Sequence, residues 1–110
     1  MEYNNLVSEL EACAQACNVC FAACLNEEEV SLMARCIELT RECAEVCQIS
    51  ASMVARDSEN ADRFLRLCAE ISMACDEECS KHQLEYCQNC AKICRHCAVL
   101  CIESAAVLSR

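Results

Sequence analysis

The 110-residue chain contains no glycine, no proline and no tryptophan, and only two phenylalanines and two tyrosines. Hairpin turns and phosphate-cradling loops depend on glycine, so their architectures are disfavoured from the outset. With no proline, nothing breaks a helix from within, and with so few rings, aromatic packing cannot dominate the core. Basic residues are scarce as well. Nine Lys and Arg stand against eighteen Asp and Glu, a net charge of −9, which argues against a nucleic-acid partner, because neutralising phosphates needs a basic patch. There is no run of about 18 apolar residues that could span a bilayer. The opening Met-Glu-Tyr-Asn-Asn-Leu has neither the basic nor the apolar region of a secretory signal. These absences predict one all-α domain spanning residues 1–110, acidic outside and cytoplasmic.

What the chain does have is fifteen cysteines. In a reducing compartment they are not expected to form a disulfide framework. Their count is odd and their spacing helical, which also disfavours pairing, although cross-helix disulfides stay geometrically possible. In the fourth of four helical segments Cys87, Cys90, Cys94, Cys97 and Cys101 are spaced 3, 4, 3 and 4 residues apart. That alternation averages the 3.5-residue period of an inward bundle seam, and it aligns five thiols along about 21 Å of one helix face.

The other segments repeat the pattern C-x3-C-x2-C-x3-C. The first has Cys13, Cys17, Cys20 and Cys24, preceded by Leu6 and Leu10 on the same seam. The second has Cys36, Thr40, Cys43 and Cys47, led by Met33 and followed by Ser50 and Val54. The third has Cys68, Ser72, Cys75 and Cys79, with Ala61 and Leu65 before it and His82 after it. Both middle segments thus carry a hydroxyl at the second position of the repeat. Asn26 is a candidate N-cap for the second helix, and Asp57, Ser58 or Asn60 for the third. Short connections predict an antiparallel up-down-up-down four-helix bundle with a Cys-lined core.

Threading the bundle up and down stacks the thiols in layers. Cys24, Cys36 and Cys79 are expected at one end with Cys87 or Cys90. Below them come Cys20, Thr40, Cys75 and Cys94, then Cys17, Cys43, Ser72 and Cys97, and finally Cys13, Cys47, Cys68 and Cys101. Leu6, Leu10, Val54, Ala61, Leu65 and Leu108 are expected to shut the far end with hydrocarbon. Met33, His82 and Tyr86 mark the open one, where Met33 and His82 are candidate ligands and Tyr86 a packing residue. His96 falls off the seam and reads as a surface residue. Leu39, Val46, Ile93 and Leu100 flank the seam and offer room for an oligomer contact.

A core of thiols packs fewer atoms than one of leucines, and each large-to-small change costs several kcal/mol, about 2–5. Something else is expected to fill the tube, and soft thiolates select Cu(I), Zn(II) or iron–sulfur clusters. Each Cu(I) replaces one thiol proton, so about one copper per thiolate leaves the interior neutral, whereas buried net charge is costly. Zinc favours isolated tetrahedral sites, and a site of four thiolates carries a residual −2. The ferredoxin cysteine run ends in a proline that is missing here. Several Cu(I) ions are the expected cargo. A zinc or general soft-metal thiol buffer is the alternative, and a redox-active helical interaction module a third. Nothing sets one thiol apart beside a base as a nucleophile needs, so an enzyme is not expected.

The run Cys79-x2-His82-x4-Cys87-x2-Cys90-Ala-x2-Cys94-Arg-x-Cys97-Ala-x2-Cys101, with paired cysteines on three further helices, resembles the bacterial copper storage proteins and, among them, their cytosolic branch. The resemblance covers nearly the whole chain. It implies a four-helix bundle holding many Cu(I) ions on its interior cysteines, assembled as a homotetramer, with His and Met residues handling ions at the open end. Leu84 and Tyr86 stand where the family often has histidine, and Thr40 and Ser72 interrupt the ladder, which implies a smaller capacity than in cysteine-richer members.

Overall fold

The computed structural model describes residues 4–109; the extreme ends of the expected domain lie outside them. Four α-helices follow one another: α1 (Asn4–Leu25), α2 (Ala34–Ala55), α3 (Ala61–Cys79) and α4 (Glu85–Leu108). A short 3-10 turn, Val30–Met33, leads into α2. The helices pack as α1 on α2, α2 on α3, α3 on α4 and α4 on α1. With connections of a few residues this is the antiparallel up-down-up-down bundle the spacing predicts, a rod of 47 × 18 × 18 Å.

Packing rather than capping holds the helices. None of the N-cap side chains of α2, α3 and α4 makes a capping hydrogen bond. Asn26, expected to start the second helix, instead finishes the first: its side-chain amide donates to the Ala22 carbonyl at 3.3 Å. The acidic run after it forms a turn, so α2 begins only at Ala34 and Met33 sits on the 3-10 turn before it. At the other end of α2 the chain reverses through Asp57, whose φ of 54° is left-handed. The amide of Ser58 bonds the Met53 carbonyl at 2.9 Å and that of Asp57 bonds Val54 at 3.0 Å. This is the helix stop usually built on glycine, made here by an aspartate in a chain that has none. Ser58 then accepts the Asn60 amide at 3.1 Å, so of the three candidate caps Asn60 holds the cap position and Ser58 supplies the side-chain acceptor.

The interior is one continuous column. Alanines 14, 44, 51, 69, 91 and 98 are buried beside the thiol seam and let the helices approach closely. At one end Leu6, Leu10, Val54, Ala61, Leu65 and Leu108 are all buried, joined by Ala105, which is the expected hydrocarbon plug. Ser50 shares that region and donates to the Phe64 carbonyl at 3.3 Å. Leu39 and Val46 are 5% and 7% exposed, so they belong to the core and are not free for an oligomer contact. Ile93 and Leu100 are half-buried against the same core. Their positions beside a period-3.5 seam widen the apolar stripe, as in any core-facing helix.

Candidate metal centre

Every cysteine is buried: fourteen are fully inaccessible and Cys97 is 2% exposed. All fifteen are free thiols. They meet across the bundle axis at short range. Cys36 and Cys79 lie 3.4 Å apart, Cys47 and Cys68 3.6 Å, and Cys17 and Cys94 3.6 Å. Along a single helix the i, i+4 partners Cys20–Cys24, Cys75–Cys79, Cys90–Cys94 and Cys97–Cys101 are each 3.9 Å apart. The helical repeat therefore supplies ladder contacts along each wall, and the antiparallel packing supplies rungs between walls.

Several sets of sulfurs lie within 4.8 Å of one another, a spacing that a metal ion can bridge. From the open end they run Cys20-Cys24-Cys36-Cys87, then Cys20-Cys79-Cys90, then Cys17-Cys75-Cys90-Cys94, then Cys13-Cys17-Cys43-Cys94, then Cys13-Cys47-Cys97. Consecutive sets share sulfurs, so they form a chain rather than separate sites. Isolated tetrahedral zinc sites would not share ligands in this way. A soft monovalent ion tolerant of bridging thiolates fits the donor set. Hard-ion chemistry finds little here: among the described residues the buried polar side chains are Thr40, Ser50 and Ser72.

The layering corrects one sequence expectation. Cys36–Cys79, Cys47–Cys68 and Cys43–Ser72 (3.4 Å) pair at the expected levels. Helix α4, however, sits one step off. Cys87, one of the two thiols expected there, takes the layer of Cys24 and Cys36, Cys94 joins Cys13, Cys17 and Cys43 as well as the expected Cys75, and Cys97 joins Cys13 and Cys47 rather than Cys17 and Cys43. Five thiols at 3-4-3-4 spacing present almost the same face in either register, and the tight turn out of α3 selects the one observed. Gln88 helps fix it by donating to the carbonyls of Ser80, at 3.2 Å, and His82, at 2.5 Å.

The two hydroxyls in the ladder behave differently. Thr40 turns its proton back to its own helix, onto the carbonyls of Cys36 at 2.8 Å and Ile37 at 3.2 Å, a habit of threonine within helices. Ser72 faces thiols on both sides, Cys43 at 3.4 Å and Cys68 at 3.9 Å. Among the described residues no buried side-chain nitrogen or oxygen lacks a partner.

Burial and mutual hydrogen bonding split the thiol acidities. Thiols that receive S–H bonds from several neighbours are driven down: Cys43 by Cys13 first and then Cys17, Cys90 by Cys17 first and then Cys20. At the open end Cys36 is lowered to about 3, by Cys20 first and then Cys79. The donors are correspondingly held protonated, Cys17, Cys47, Cys79 and Cys94 among them. Cys24 is pushed up to about 11, chiefly by burial. The apo interior is thus a network in which the thiols share protons, and deprotonating it throughout requires a cation to arrive.

The open end carries the remaining candidates. Met33 is buried at 4% exposure, on the 3-10 turn that leads into α2. Helix α3 stops at Cys79, so His82 stands in the connecting loop and not on the helix. Its side chain is 19% exposed, and its Nε2 lies 3.0 Å from Glu78 Oε2. Tyr86 does more than pack: its hydroxyl donates to Glu27 Oε2 at 2.6 Å and ties the start of α4 to the turn after α1. Burial first, and then the Glu27 carboxylate, raise the phenol well above its ordinary range. Periodicity gave no sign of either carboxylate partner, because both pairings depend on how the loops fold. His96 is an exposed surface residue facing Glu9 at 3.3 Å. Among the described residues no helix is long and apolar enough to cross a membrane.

A four-helix bundle whose core is a chain of shared thiol sets is a soft-metal carrier by construction. The model of the copper storage protein family matches residues 1–106, and the chain belongs to that family. It is similar to a cysteine-rich Bacillus subtilis protein, YhjQ, at 43% identity over 80 residues, which are 73% of this chain and 74% of that one. It is also similar to the Cu(I)-bound copper storage protein BsCsp3, with a TM-score of 0.91 at 37% identity, covering 96% of this chain and 99% of the other. A cytosolic copper storage protein from Streptomyces lividans, carrying five coppers, superposes with a TM-score of 0.88 at 36% identity, covering 92% and 89% of the two chains.

Proposed function

We propose that residues 1–110 act as one domain that stores several Cu(I) ions on its interior cysteine thiolates. The observation that carries this reading is the chain of sulfur sets with shared members, in a family of copper storage proteins. The ligands are the fifteen cysteines of the column. His82 and Met33 handle ions at the open end, where one lies in the loop beside Glu78 and the other is buried on the 3-10 turn before α2. Each ion displaces about one thiol proton, so the interior can fill without gathering charge. Storage is a binding equilibrium, and the reading includes no catalytic step. The compartment is the cytosol, as for the Streptomyces relative.

An oligomer is part of the same reading. Met73, Val99 and Ile102 are each more than half exposed and, with Ala98, line one face of α3 and α4 beside the Asp76–Arg95 ion pair. A second copy of the chain is the proposed occupant of that face, and sedimentation of the apo protein tests it. The storage reading is tested by elemental analysis of protein made in copper-supplemented cells and purified without oxygen. Copper in several-fold excess over protein and over zinc is expected; zinc in its place would favour the thiol-buffer alternative.

A further inference from the structure

The sulfurs are not equivalent. In five of the sets described above, the members that occur twice are Cys13, Cys17, Cys20, Cys90 and Cys94. All of these lie on α1 or α4. The thiols of α2 and α3 in the same sets, Cys36, Cys43, Cys47, Cys75 and Cys79, occur once each. Direct sulfur contacts between helices repeat the asymmetry. Four of them cross from α1 to α4: Cys13–Cys94 at 4.0 Å, Cys17–Cys94 at 3.6 Å, Cys17–Cys90 at 3.9 Å and Cys20–Cys87 at 3.9 Å. Of the four neighbouring helix pairs, α1 and α4 pack least closely, and the sulfur contacts that cross between them outnumber the two, Cys36–Cys79 and Cys47–Cys68, that cross between α2 and α3.

Two residues stand at its centre. Cys17 and Cys94 belong together to both central four-sulfur sets, one completed by Cys75 and Cys90 and the other by Cys13 and Cys43. They also occupy the second position of the C-x3-C-x2-C-x3-C repeat in α1 and α4, the position held by Thr40 in α2 and Ser72 in α3. Within the repeat, thiols at this position are kept on the two helices that form the seam.

Building on the storage reading, the geometry points to Cys17 and Cys94 as the bridging hub of the copper chain, with α2 and α3 supplying terminal ligands. A thiolate has more than one lone pair and can bind two soft cations at once, so a shared sulfur links neighbouring ions. Removing a bridging sulfur breaks two sets, whereas removing a terminal one trims a single set. Thr40 and Ser72 then leave the chain continuous because they fall on its terminal side.

The test compares the full chain with two variants that each lack two thiols, Cys17→Ser/Cys94→Ser and Cys43→Ser/Cys75→Ser. Each is reduced, titrated anaerobically with Cu(I) against a chromogenic chelator, and examined by X-ray absorption for copper–copper scattering. The terminal variant is expected to lose about two coppers, one per missing charge, and to keep its copper–copper signal. The hub variant is expected to lose about twice as many and most of that signal, because both central sets fall with it. Equal losses with equal scattering overturn the hub. If circular dichroism shows the hub double variant unfolded, Cys94→Ser against Cys75→Ser makes the same comparison with one thiol removed from each. A parent chain that binds only one or two coppers would contradict storage itself; full parental capacity with equal losses in the variants contradicts the hub alone.

Discussion

Tyr86 donates its hydroxyl to Glu27 across the open end of the bundle, at 2.6 Å, directly above the layer that contains Cys24, Cys36 and Cys87. This bond ties the first turn of α4 to the turn after α1, and so spans the end proposed as the entrance. Tyr86→Phe keeps the ring and removes the bond. Loading and chelator removal are expected to speed up several-fold while total capacity stays the same, as read by stopped-flow transfer to a chromogenic chelator. Unchanged rates would mean that ions do not pass this strap.

His82 and Met33 are the proposed ion-handling residues at the same end. His82→Ala and Met33→Ala are each expected to slow copper transfer by roughly tenfold, equivalent to about 1.4 kcal/mol in the barrier, with capacity nearly unchanged. Transfer at the parental rate in both variants would place the entrance elsewhere.

The plug at the other end is structural. Leu65 is fully buried among Leu6, Leu10 and Leu108, and Leu65→Ala is expected to lower apo stability by about 3 kcal/mol through lost burial and a residual cavity. Denaturant unfolding of the reduced apo protein measures it. Copper binds the folded state, so loading is expected to mask most of the loss.

Proton release follows from the thiol network. Because Cys17, Cys47, Cys79 and Cys94 donate S–H bonds to neighbouring thiols and are buried, they are held protonated, and Cu(I) binding at them must displace protons. In a weakly buffered titration about one proton per copper is expected to appear, and acid is expected to favour release. Much less than one proton per copper would mean that the thiols were already ionised and the apo core charged.

The thiol column was legible in the sequence because its signal is covalent order itself: a 3-4-3-4 spacing with nothing to break a helix can place Cys13 to Cys24 and Cys90 to Cys101 only on single faces. The hydrocarbon plug was legible for the same reason. The sliding register of α4 was not, since Cys87 and Cys90 offer the same face one step apart and a turn decides between them. Nor were the ends of the elements. Met33 leads α2 on a 3-10 turn and His82 lies past the end of α3, because local turn geometry overrides the seam once packing partners run out. Leu39 and Val46 looked available only because a two-position seam understates how wide a core-facing stripe is. The hub formed by Cys17 and Cys94 is a property of three-dimensional sharing, which no spacing within one helix encodes.

Copper capacity tests the central claim most directly. Fully reduced protein titrated anaerobically with Cu(I) against a chromogenic chelator is predicted to saturate at a number on the order of its fifteen thiols, as neutral filling requires. Saturation at one or two equivalents would contradict the account.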